Sequence, residues 1–247
     1  MAPARPPLDK RQDFGVILGV AWLYTMIAGM LNGVAVYELG TPVGYTSGPC
    51  VNAGRFLATG DANAPKILGI ITLFYAGGIL AGLAGKHAEG DHVFEGRMSP
   101  AMMVSAAMLA FGVYAKKNLN RPTLAMQTWA LSQGLMNGVS SRFSAVPIRA
   151  THTAGGQTDA AITVANALVA LSKGTVVPSM RKVILNAICC GGMVFGGWWA
   201  GKYHKKWGTM AGLVPAGLLA FSATALPTII ALGSGKEEED SEAKTSK

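Results

Sequence analysis

Six long apolar blocks without a single Asp, Glu, Lys or Arg constrain this chain more than any other feature of its sequence. They cover residues 15–36, 67–85, 98–115, 122–139, 183–201 and 210–232. Each block is close to the roughly 20 residues that an α-helix needs to cross the hydrocarbon core of a bilayer. Within hydrocarbon only helices and closed barrels satisfy their own backbone groups, and barrel strands would alternate in polarity. The blocks therefore predict an all-α integral membrane protein with six transmembrane helices.

The basic residues of the chain stand mostly at the ends of these blocks. The formal net charge is +8, and pairs such as Lys116 with Lys117 and Arg181 with Lys182 flank apolar segments. Such residues anchor spans at the lipid headgroups. A nucleic-acid interface would need basic and aromatic residues on one soluble surface, for which no segment is long enough. We expect the lipid bilayer as partner, no nucleic acid, and a multi-pass location with the plasma membrane favoured.

An internal repeat divides the chain into two halves. The sequence AGMLNGV at residues 28–34 recurs as QGLMNGV at residues 133–139. Pro42 and Pro147 follow the two copies at the same distance. Self-similarity of this kind indicates a repeated structural unit. We predict a first membrane repeat at residues 14–117 and a second at residues 118–233.

Each predicted repeat contains a long connection as well as three spans. The connections hold short apolar segments at residues 51–58 and 158–171, which we interpret as half-helices or re-entrant segments; whether they cross the bilayer stays open. Three spans per half is an odd number, so non-crossing short segments would make the two repeats inverted. The flanking residues, a flexible 1–13 and a charged tail at 234–247, are expected to be disordered.

Local signals set the expected boundaries of two of these elements. Thr158 and Asp159 are typical of a helix start, where a side-chain oxygen accepts free backbone N–H groups. The polar residues 202–207 predict the short loop between the fifth and sixth spans. We therefore expect a half-helix to begin at Thr158 and the fifth span to end before residue 202.

Three amides lie inside or at the ends of apolar spans, where an unsatisfied polar group is costly. Asn32 and Asn137 occupy matching positions in the two halves, and Gln133 lies one turn before Asn137. They either cap or join helices, or they line a central polar cavity. Both readings place them towards protein or water.

The first and fourth spans also each contain two glycines that are four positions apart. Two glycines separated by three residues let helix backbones approach closely in lipid. Such pairs predict tight packing, either inside the molecule or in a homo-oligomer. The residues are Gly29, Gly33, Gly134 and Gly138.

The second long connection carries the densest set of polar side chains. It contains Arg142, Arg149, Thr151, His152, Thr153 and Asp159. Two guanidinium groups could hold a carboxylate or a phosphate, assisted by the positive end of a helix. The alternative is that interfacial arginines grip lipid phosphates next to an ordinary helix cap.

No pattern of catalytic residues is recognisable in the sequence. A Ser-His-Asp set, paired catalytic carboxylates and a phosphate-binding glycine loop are not apparent. The spacing of His87, Asp91 and His92 fits no familiar set of metal ligands. We expect no enzyme, no cofactor and no metal site.

The paired motifs resemble the YoaK-like family of multi-pass membrane proteins, a domain-of-unknown-function class. The resemblance rests on Asn137, Ser141–Arg142, Pro147, Arg149 to Gly155 and Thr158–Asp159. It extends more loosely from the first span to the sixth. In the first half, family members often carry Asp at the position of Asn32 and a different run at residues 44–49. The resemblance implies fold and membrane location, and no agreed substrate or activity.

Architecture of this kind favours a secondary transporter of a small solute or ion, with an anion suggested by Arg142 and Arg149. The alternatives are a non-transporting membrane scaffold and a passive channel. A transporter predicts that polar faces of the first and fourth spans meet around a cavity. A scaffold predicts that these faces close and that the glycine faces point outward.

Overall fold

The computed structural model describes residues 14–84, 99–141, 148, 150–151 and 153–228, and this part of the chain is helical without a β-strand. The predicted all-α class is confirmed. The helices are α1 (Phe14–Leu39), α2 (Ser47–Thr59), α3 (Ala64–Ala84), α4 (Ser99–Lys117), α5 (Pro122–Ser140), α6 (Thr153–Ser172), α7 (Arg181–Trp207) and α8 (213–228). A 3₁₀ turn, Gly208–Gly212, connects α7 to α8.

The six apolar blocks fall on α1, α3, α4, α5, α7 and α8. Within the residues that the structure describes, three stretches have the length and hydropathy of a membrane span, namely Phe14–Leu39, Ala64–Ala84 and Arg181–Thr228. The third contains both α7 and α8. α5 is less apolar because it includes Gln127, Gln133 and Asn137. This composition and length are typical of a membrane protein.

α1 packs in parallel along α7 because small residues on both helices allow close approach. A methyl group added at Gly29 would collide with the backbone of Met193, and one added at Gly33 would lie 2.5 Å from Cβ of Ala200. Close backbone contact across glycine is a frequent way of joining helices in membranes.

α5 packs on α3 through the same kind of contacts. A methyl group added at Gly134 would collide with the backbone of Phe74, and one at Gly138 would collide with Cβ of Ala81. Residue numbers rise together along both helices, so this pair is also parallel. The partner of each repeated motif therefore comes from the other half of the sequence.

α4 and α8 complete the bundle as antiparallel neighbours. At one end, the Ser99 hydroxyl donates to the carbonyl of Ala223. At the other, a methyl group on Gly212 would lie 2.8 Å from Val113. α8 also runs antiparallel to α1, since Gly212 lies near Val34 and Ser222 lies near Tyr24.

The predicted loop at residues 202–207 is wrong, because α7 continues helically to Trp207. His204 stacks on Tyr37 with ring centroids 4.9 Å apart and bonds to Glu38, so the last turn of α7 is fixed against the end of α1. The chain leaves the helix at Gly208, whose φ of +53° favours glycine. Polar side chains alone did not end this helix.

α6 starts five residues earlier than predicted. It begins at Thr153, so Thr158 and Asp159 do not lie at its start, and that prediction is wrong. Gly156 belongs to the helix because its missing side chain lets α6 approach Asn186 of α7, whose Oδ1 would be 2.5 Å from an added Cβ. Gly156 thus serves helix packing instead of a loop.

Candidate functional site

The connection after α1 turns back along the helix it has just left. Asn32 lies two turns before the end of α1, and its Oδ1 accepts hydrogen bonds from the backbone N–H groups of Val43 (3.1 Å) and Gly44 (2.7 Å). Val43 and Gly44 are buried. A single amide therefore holds a non-helical segment inside the bundle, where its N–H groups would otherwise lack partners.

The connection after α5 is held in a corresponding way. Oδ1 of Asn137 accepts a hydrogen bond from the N–H of Thr151 at 3.2 Å. The Ser140 hydroxyl donates to the carbonyl of Ile148 at 2.9 Å. Ile148, Ala150 and Thr151 are buried. Asn32 and Asn137, which match in the repeat, thus each clamp the loop that follows their own helix.

Gly44 brings the first loop between α1 and α5. A Cβ built on Gly44 would lie 2.5 Å from Nδ2 of Asn32 and 2.9 Å from Oε1 of Gln133. The side-chain amides of Asn32 on α1 and Gln133 on α5 thus both lie next to Gly44. Any residue other than glycine at position 44 would place its Cβ against these two amides.

Several polar atoms around this point have no protein hydrogen-bond partner within the described part of the chain. They are Nδ2 of Asn32 and both amide atoms of Gln133. Gln133 is fully buried. Buried polar groups in native proteins nearly always have partners, and an orphaned one costs about 1–3 kcal/mol. These three atoms mark a place suited to a polar guest, and we call Asn32, Gly44 and Gln133 the amide site.

The α4–α5 contact fixes the helix that carries Gln133. The hydroxyls of Ser105 and Ser132 lie 2.7 Å apart, and each also reaches the carbonyl of the other residue. Nε1 of Trp129 donates to the carbonyl of Leu109 at 3.0 Å. All these side chains are buried. These hydrogen bonds to α4 therefore fix both the rotation of α5 about its axis and its position along that axis, and with them the location of Gln133.

The remaining predicted site residues are spread differently. Arg142, Arg149 and His152 lie outside the described residues, as do His87, Asp91 and His92. Thr153 is the first residue of α6. Asp159 is exposed in the second turn of α6. Among the described candidates, the structure brings together Asn32 with Gln133, and Asn137 with Thr151.

Sequence reasoning missed a cluster of ionisable residues at the end of the bundle. Glu38 bonds to Nε2 of His204 at 2.8 Å and lies 3.8 Å from Nζ of Lys116. The three residues come from the ends of α1, α7 and α4. Glu38 is an isolated acidic residue just after the first apolar block, which was the available signal. Its partners could not be foreseen because they are distant in sequence.

Comparison with known proteins identifies the family. A family model described as protein of unknown function (DUF1275) matches residues 20–225, from α1 to α8. The chain therefore belongs to this family. YoaK-like proteins belong to it as well, so the resemblance seen in the sequence is confirmed. No curated protein and no solved structure matches the chain.

Proposed function

We propose that this member of the DUF1275 family is a multi-pass membrane transporter of a small solute, built from two inverted repeats of three spans. The helix directions support the arrangement. α1, α4 and α7 run one way, and α3, α5 and α8 run the other. In chain order the six helices alternate, with α2 and α6 as non-crossing segments. The first repeat then begins in the direction opposite to that of the second.

The glycine contacts support the same repeat. α1 against α7 and α5 against α3 are equivalent pairs, in which Gly29 corresponds to Gly134 and Met193 to Phe74. In each of these two pairs, one helix comes from the first repeat and the other helix comes from the second. Such an exchange produces two similar units that can rock against each other around a site between them, which is how many inverted-repeat transporters give alternating access.

The observation that carries the proposal is the pair of clamped loops. Non-helical backbone at membrane depth is tolerated where it is buried in protein or lines a cavity. Here Asn32 and Asn137 hold such segments from opposite ends of the bundle, and the unpartnered amide of Gln133 lies beside one of them. Discontinuous segments near the midplane are the usual place for a transporter site.

The scaffold alternative is less well supported. It predicts that the glycine faces point outward, whereas Gly29, Gly33, Gly134 and Gly138 contact α7 and α3 within the bundle. These glycines are therefore occupied and cannot form an assembly surface without opening the molecule. A passive channel would have the same spans as a transporter. The two are distinguished by the kinetics of solute uptake.

Transport is tested with the full chain reconstituted into liposomes. The uptake of a panel of labelled neutral, anionic and cationic solutes is compared for the wild type, Asn137→Ala and Asn118→Ala. Asn118 lies in the exposed turn after α4 and serves as the matched control. We expect saturable uptake that falls at least tenfold in Asn137→Ala and is unchanged in Asn118→Ala.

A counterflow measurement separates the mechanisms. A transporter accelerates uptake of labelled solute when unlabelled solute is present inside, and a channel does not. Uptake of no solute above the level of empty liposomes would overturn the proposal in favour of a scaffold. Equal uptake by Asn137→Ala and the wild type would show that the clamped loops do not serve transport.

A further inference from the structure

We infer that the amide site binds a small neutral solute with a carbonyl oxygen next to an N–H or O–H group, such as a simple carboxamide. This inference rests on the proposed function and names its substrate class. The starting point is the hydrogen-bonding capacity of the site. Oδ1 of Asn32 already accepts two backbone N–H groups, so the free Nδ2 can only donate.

Gln133 supplies the complementary half of the site. Both its Oε1 and its Nε2 have no partner among the described residues. It can therefore accept one hydrogen bond and donate others. A guest carbonyl would accept from Asn32, while a guest N–H would donate to Oε1 of Gln133. A carboxamide carries both groups at adjacent positions.

The charges of the surroundings favour a neutral guest. The groups of the amide site are uncharged, and among the described residues the ion pair of Glu38 with Lys116 lies at the end of the bundle. Burying an ion without a counter-charge costs far more than burying an amide that is hydrogen-bonded. A carboxylate guest would also face Oε1 of Gln133 unless that side chain rotated.

The repeat itself shows that Gln133 is not needed for packing. The residue at the matching position of the first half is Ala28, which is fully buried. The same kind of helix pairing thus forms around alanine in one half and glutamine in the other. A buried amide that has no partner among the described residues, at one of two equivalent places, points to a ligand.

Gly44 limits the size of the guest. Both amides lie within 2.9 Å of the position of a Cβ on this residue, so a methyl group there would occupy the space between them. Only a small polar head of a guest could therefore reach both amides beside Gly44. We expect Gly44→Ala to reduce binding more than it reduces stability.

Binding is tested by thermal unfolding of the detergent-purified full chain with acetamide or acetate, which have the same size and differ in charge. We expect acetamide to raise the midpoint by about 2–4 °C at roughly four times its Kd, and acetate to have no effect. Gln133→Met should abolish the shift. Gln127→Met, on the same helix but beside Gly69 of α3, should retain it.

Three outcomes would overturn the inference. A shift of the unfolding midpoint with acetate and none with acetamide would show that the site binds anions. No shift with either compound would contradict the proposed class of ligand. If Gln133→Met and wild type respond equally to acetamide, the binding site is elsewhere.

Uptake of labelled acetamide into proteoliposomes distinguishes the site from the proposed function. Acetamide binding that depends on Gln133, without uptake of any solute, would support the site and overturn transport. Uptake of another solute that is unaffected in Gln133→Met, without acetamide binding, would support transport and overturn the site.

Discussion

Replacing Asn32 by alanine removes the clamp on the first loop. The change deletes the acceptor of two buried N–H groups, those of Val43 and Gly44, at 3.1 and 2.7 Å. Each buried donor that loses its partner costs about 1–3 kcal/mol, so the free energy of unfolding should fall by about 2–6 kcal/mol. Water reaching the loop would place the loss near the lower limit.

The assay is thermal unfolding in a mild detergent, followed by tryptophan fluorescence. For a chain of this size a loss of 1 kcal/mol lowers the midpoint by about 2–4 °C, so Asn32→Ala should unfold at least about 4–8 °C below the wild type. Asn137→Ala loses a single loop hydrogen bond, at 3.2 Å, and should show roughly half that shift. Asn118→Ala should match the wild type.

Asn32→Asp tests which atom of the amide matters. A carboxyl oxygen can still accept both backbone N–H groups, whereas the free Nδ2 donor is lost. At a pH low enough to keep the introduced carboxyl group neutral, we expect a smaller loss of stability than in Asn32→Ala, because an ionised carboxylate would be a buried charge. The reasoning is refuted if Asn32→Ala unfolds together with Asn118→Ala, because the loop would then not depend on the clamp.

Three further experiments test the packing around the site. Gly134→Ala places a methyl group against the backbone of α3 and should lower the free energy of unfolding by about 1–3 kcal/mol or more. Gly217→Ala, which has open space around it, should leave the stability unchanged. The thermal unfolding midpoints of the two variants test this difference. Ser105→Ala and Ser132→Ala should show a coupling energy of about 0.6 kcal/mol in a double-mutant cycle, and strictly additive losses would argue against the reciprocal bond. Trp129→Phe should lose about 1 kcal/mol with its bond to α4, and an unchanged midpoint would contradict that role.

Much of the helical framework could be predicted from hydropathy. The six apolar blocks coincide with six helices because uncharged stretches of this length have few other stable conformations in lipid. Boundaries were less predictable. α6 begins at Thr153, since the space beside Asn186 suits Gly156, and α7 continues past Lys202 because His204 has partners on α1. Both boundaries depend on neighbours that are remote in sequence.

The candidate site was predictable only in part. Asn32, Gln133 and Asn137 are conspicuous because amides are expensive in an apolar span. Their neighbours were not apparent, since nothing local indicates that the chain after Leu39 folds back until Gly44 lies between two helices. Glu38 and His204 meet across 166 positions, which no spacing rule anticipates.

The sequence by itself determined that this chain is a helical membrane protein with a repeated motif, because apolar length and polar spacing are properties of neighbouring residues. Only the tertiary structure decided that α1 pairs with α7 and α5 with α3, that the asparagines hold loops, and that Gln133 has no hydrogen-bond partner among the described residues. These features depend on which surfaces meet. Helix partners are selected by close contact at glycines such as Gly29 and Gly134, and that fit exists only when both helices are in place.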